Sequence, residues 1–189
     1  MRAAITGRPS YTAAGGRVFA SHWHNYWLEK GPAPFPSVAV FEHHPDLPNP
    51  FTASIDMTFP KGQALADWLV AVGSMAPLGQ LVLREAKHTV NRSTDGISQR
   101  WVYSTSPVST QYLSLNTPVG VTEDKQCGRI VLSDIHASHS ASDTSTPTTA
   151  YPDGCNTTSL SDQEKALEFM LFDLSSCLMS DVKPPAPPK

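Results

Sequence analysis

Two stretches of this chain carry polar, chemically able residues at matching places. Gly16-Arg-Val-Phe-Ala-Ser-His-Trp-His24 and Gly128-Arg-Ile-Val-Leu-Ser-Asp-Ile-His136 align position by position, which sets Arg17 on Arg129, Ser21 on Ser133, His22 on Asp134 and His24 on His136. As parallel strands of one sheet, the two would crowd three imidazoles and a carboxylate at one edge. Three chemistries then stand open. His22, His24 and His136 form a candidate ligand set for zinc or another imidazole-preferring ion. His24 and His136, with Asp134 orienting an imidazole, form a candidate metal-free acid/base group. In the third reading the polar groups are strand ends leaving the core, satisfied by loop carbonyls.

Other residues bear on the same question. Trp23, Tyr26 and Trp27 flank the histidines and are candidates for a stacking platform for a sugar or small molecule, or else for a packed rim. His43-His44-Pro45-Asp46 and His139 with Asp143 are further imidazole and carboxylate groupings in loop-like stretches. The chain has no G-x-S-x-G elbow, no G-x-G-x-x-G and no phosphate-binding loop, so no activated nucleophile can be named and catalysis is left undecided.

The elements that must position these groups follow from periodicity. Arg17–Ser21 and Arg129–Ile135 read as strands, with Val18, Ala20, His22 and His24 on one face of the first. Six prolines between Gly31 and Pro50 make a long excursion, with Val38–Phe41 as a short edge strand. Leu65, Leu69 and Val72 predict a helix over 62–72 that ends near Gly73. Gln80–Val90, Arg100–Ser104 and Thr110–Asn116 read as an antiparallel set of strands. Ser161 and Glu164 have capping-box spacing. The helix they open, Leu160–Cys177, is apolar over most of its circumference, which predicts burial on more than one side. The fold class is therefore α/β: a partly parallel sheet with an antiparallel section and flanking helices. We expect a lead-in over 1–14, a single domain over 15–180 and a Pro-rich tail over 181–189.

At 189 residues with a net charge of −3, the chain has no basic patch for nucleic acid and no apolar run long enough for membrane insertion. Met1–Ser10 lacks the apolar region of a signal peptide. Seventeen prolines and abundant Ser/Thr still suit a protein of the cell envelope or exterior. Cys127, Cys155 and Cys177 lack zinc spacing. The Gly128–Ile135 strand spans ~26 Å and a helix over 162–177 ~24 Å. A helix returning antiparallel over its strand brings Cys177 back to Cys127, which makes Cys127–Cys177 the expected disulfide and Cys155 the odd thiol.

Gly-Gly-Arg-Val-Phe-Ala-Ser-His, Cys-Gly-Arg-Ile-Val-Leu-Ser-Asp-Ile-His and Ser-Asp-Gln-Glu-Lys-Ala-Leu-Glu-Phe-Met-Leu-Phe-Asp-Leu together resemble the class I glutamine-amidotransferase-like (ThuA-like, flavodoxin-like) α/β domains of large bacterial envelope proteins. The resemblance places His136 near the triad histidine of amidotransferases, but Ala137-Ser138 stand where those enzymes carry Pro-Glu. It also implies that the family's first βα units, with the cysteine elbow, precede Gly15. A chain missing them should oligomerise or be completed by a partner chain. The leading expectation is a non-catalytic extracytoplasmic binding or scaffold domain without a cofactor. The alternatives are a hydrolase or metal-dependent enzyme and a carbohydrate-binding module.

Overall fold

The computed structural model describes residues 8–136 and 159–184. His139, Asp143 and Cys155 lie outside the described residues, as do 185–189 of the expected tail.

A six-stranded sheet organises the chain. Its strands are β1 (Arg17–Ser21), β3 (Phe51–Ile55), β4 (Gln80–Leu83), β6 (Gln99–Thr105), β7 (Val108–Thr117) and β8 (Gly128–Ser133), in the order β1-β8-β7-β6-β3-β4. The expected parallel pair exists and has the expected register, Arg17 opposite Arg129 through Ser21 opposite Ser133. The remaining neighbours are antiparallel. The result is an α/β fold with a mixed sheet, parallel only at β1–β8. Gly128 opens β8 because a Cβ there would fall 1.8 Å from the Thr12 carbonyl oxygen, where helix α1 (Arg8–Ala13) crosses the strand.

Each face of the sheet has its own core. Helices α3 (Pro60–Ala71) and α4 (Asp162–Ser175) cover one face, and Leu65, Leu69, Ala166 and Met170 meet Trp101, Tyr112 and Val131 there. The other face carries a two-stranded antiparallel sheet of β2 (Ala39–Phe41) and β5 (Val90–Ser93), together with the short helix α2 (Tyr26–Glu29). Val38, Ala39, Val90 and Leu28 pack there on Leu113, Leu115, Ile130 and Leu132. Because both faces are covered, every residue of β8 is buried, the pattern of a strand sandwiched between layers.

Two expectations about elements are corrected, and one strand is added. The run Gln80–Val90 is not one strand, since Glu85 at φ 53° turns the chain out of the large sheet. The chain then re-enters as β5 in the small sheet. Phe51–Ile55, for which the sequence suggested no element of either kind, is β3, with Ala53 and Ile55 buried and Thr52 and Ser54 exposed. Helix α4 has the capping box in both directions, Ser161 Oγ accepting from the Glu164 amide and Glu164 Oε2 accepting from the Ser161 amide at 2.7 Å. It buries only one stripe, however: Gln163, Ala166, Met170 and Leu174, while Leu171 and Phe172 are exposed.

The disulfide expectation is also corrected. Cys127 and Cys177 are exposed free thiols. The two cysteines do come to one edge, as the matched lengths require, but Arg17 stands between their chains. Its guanidinium donates to the Cys127 carbonyl at 2.8 Å and the Ser176 carbonyl at 3.4 Å. The Cys127 thiol donates instead to the Ala13 carbonyl at 3.0 Å.

Candidate functional site

The paired strands end at Ser21 and Ser133, before any of the histidines. β1 stops at Ser21, and His22 takes φ 49°, a left-handed conformation uncommon for a residue with a Cβ. The chain then winds through a 3₁₀ turn, His22–Asn25, into α2. Alternation therefore fails, and His22 and His24 part. His24 is exposed, its Nδ1–H donating to the Ser21 carbonyl at 2.7 Å and its ring lying 4.3 Å from that of Trp27. His22 meets His136 instead, with ring centroids 3.6 Å apart.

Asp134 leaves the group as well. Only 1% exposed, it accepts the Thr89 amide at 2.7 Å and the Thr89 hydroxyl at 2.7 and 2.9 Å. Its own carbonyl accepts the Lys87 amide at 2.8 Å. Burial pushes its carboxyl above the ordinary range against the pull of the Thr89 bonds. Asp134 thus anchors the segment that crosses from β4 to β5, and orients no imidazole of the pair. The proposed metal trio His22, His24 and His136 is accordingly not assembled. Among the described residues no group of three His, Cys, Asp or Glu side chains could hold a metal ion.

The crossing segment supplies what sequence reasoning did not select. Lys87, His88 and Thr89 line a cleft of about 170 Å³ with His22, Trp23, His43, His44 and Asp46. The interruption of an apolar run by Lys87-His88-Thr89 was the available signal. Lys87 Nζ is paired with Asp46 at 2.5 Å, and His43 with Glu29 at 2.8 Å. His88 Nε2 lies 2.8 Å from the Val108 carbonyl, and the His44 and His88 rings are 4.5 Å apart. Of the three aromatics, only Trp23 lines the cleft. It is 79% exposed, with its ring stacked on that of His43 at 6.5 Å. Tyr26 is exposed elsewhere and Trp27 packs against His24.

Electrostatics keep the imidazole pair neutral at pH 7. Burial lowers His22, and the His136 ring and Lys87 ammonium lower it further. Burial also lowers His136, followed by Lys87, against the opposing pull of Glu85 and Asp46. His136 Nε2 is buried without a hydrogen-bond partner, while Nδ1 lies 4.0 Å from Glu85. The cleft thus offers an exposed indole face, the neutral His22 imidazole beside three further histidines, and one cation paired with a carboxylate. Cys127 lies at the other end of β8 from His136, so neither it nor Cys177 supplies a thiol to the pair. No protein-family model, curated protein or solved structure matches this chain. Among the described residues, no helix is long and apolar enough to cross a membrane.

Proposed function

We propose that this chain is a non-catalytic binding domain, amidotransferase-like in its β1–β8 core and working outside the cytoplasm, whose ligand is a glycan or similar small polar molecule held in the histidine cleft. The observation that carries the reading is Trp23. Trp23 is 79% exposed at the lip of the cleft, where its indole face is open to a molecule entering beside His22, Lys87 and Thr89. Indole faces suit the apolar face of a sugar ring, and the imidazoles and Thr89 that line the cleft suit hydroxyl groups. β1 has no strand on its outer side among the described residues, and that edge is where a second copy or a completing chain would add.

Titration with an oligosaccharide panel, followed by tryptophan fluorescence, tests this. At least one ligand should shift the emission of the wild type and leave that of a folded Trp23→Ala variant unchanged; equal binding by both proteins rejects the reading. A second reading, an acid/base hydrolase, draws on the His22–His136 contact, because a neutral imidazole pair can accept a proton. The two readings separate at His136→Gln, which abolishes turnover in the enzyme and leaves Trp23-dependent binding intact in the binding domain.

A further inference from the structure

At the opposite end of β8 from His136, a charged group lies in the core. Arg129 is 1% exposed and faces Lys61 of α3, Asp173 of α4 and Asp181 of the C-terminal segment. Two cations and two carboxylates balance there, but the carboxylates are not served equally. Asp181 Oδ1 accepts from Arg129 Nη2 at 2.7 Å and lies 3.1 Å from Lys61 Nζ. Its Oδ2 accepts from Arg129 Nη1 at 3.2 Å and from Ser114 Oγ at 2.9 Å. Ser114 is itself oriented by the Trp101 indole N–H, donating at 2.7 Å. Asp173 takes one bond from Lys61 at 2.8 Å, and its Oδ2, though 2.7 Å from Arg129 Nη2, has no aligned donor. The donors are built around Asp181.

They are also built on rigid elements, and Asp181 is not. Arg129 belongs to β8, Ser114 to β7 and Lys61 to α3, whereas Asp181 is carried by residues 176–184, a segment without helix or strand. Its neighbour Val182 is 64% exposed, and beside Asp181 the segment is held to the body at the surface by the Lys183–Glu123 ion pair at 2.5 Å. Withdrawing Asp181 would leave two buried cations facing one carboxylate, a state that an uncompensated buried charge makes strongly unfavourable. Paired N–H donors from one guanidinium match the two oxygens of a carboxylate.

We propose that Arg129, Lys61 and Ser114 form a carboxylate-binding cradle, filled in cis by Asp181, that accepts a free carboxylate when the C-terminal segment leaves. Its ligand is a carboxylate small enough to fill the space of an aspartate side chain. The test is chemical rescue in an Asp181→Gly variant of the full chain, with formate as the probe and chloride at equal ionic strength as the control. Formate should raise the melting temperature of the variant saturably and leave that of the wild type unmoved; a variant that gains no more from formate than from chloride overturns the cradle. Asp181→Asn keeps the shape and removes the charge, which covers the case in which Asp181→Gly does not fold. Proteases should cut this variant after Ser176 at least tenfold faster than the wild type while the body stays intact. Cleavage at the wild-type rate overturns the role of the charge.

Discussion

The His22–His136 pair shows how one residue's switch from extended to left-handed backbone decides chemistry. Two histidines spaced for one strand face part because His22 adopts φ 49°, and a pair forms that no alignment of the strands contains. The pair has a measurable consequence. Both imidazoles titrate below the ordinary 6.5, through burial first and Lys87 among the charges, so the unfolded chain binds more protons just below that pH. Their contribution to stability is present above pH 6.5 and is lost as the pH falls through the lowered values. Asp134 acts in the opposite direction, since its raised carboxyl favours the folded state toward acid. The contribution is therefore read against a His22→Gln/His136→Gln double variant, which should lose less of its urea stability between pH 7 and pH 5. By NMR titration, both imidazoles should move up in Lys87→Met; an unmoved His22 would show that Lys87 does not act on the pair.

At the scale of elements, local signals and long-range packing divided the work. The capping box of α4 is complete in the structure because its partners lie three residues apart. Ser161→Ala should cost about 1 kcal/mol in urea denaturation, the usual worth of an N-cap, and an unchanged midpoint would mean that tertiary contacts alone hold the helix start. The extent of α4 burial was misjudged for the converse reason. Apolar residues all round a helix describe what it can bury, and the single layer beneath it buries only the stripe through Met170, leaving Phe172 57% exposed. β3 has little signal because a strand of five residues gives only two buried positions, Ala53 and Ile55, to read. The split of Gln80–Val90 turned on Glu85, whose left-handed backbone has no signature in residue type.

At the scale of the molecule, the two cores on opposite faces of one sheet predict a single cooperative unit. Leu132→Ala on the small-sheet face and Met170→Ala on the helix face should each cost about 2–5 kcal/mol, the range for emptying a buried site. Both should lower the same unfolding transition; two separable transitions would show that the layers fold independently. The amino-acid sequence by itself determined the β1–β8 register, because a strand buried on both faces needs one residue type at each step and the two strands repeat those types from Arg17 to Ser21 and from Arg129 to Ser133. It determined the α4 start too, since that signal is local. Tertiary structure alone decided which polar groups meet. His22 reaches His136, Lys87 and His88 reach the cleft, and Asp181 reaches Arg129 across 52 residues. Contacts of that kind depend on where turns leave the sheet and on which layer covers which face, and no spacing along the chain encodes either.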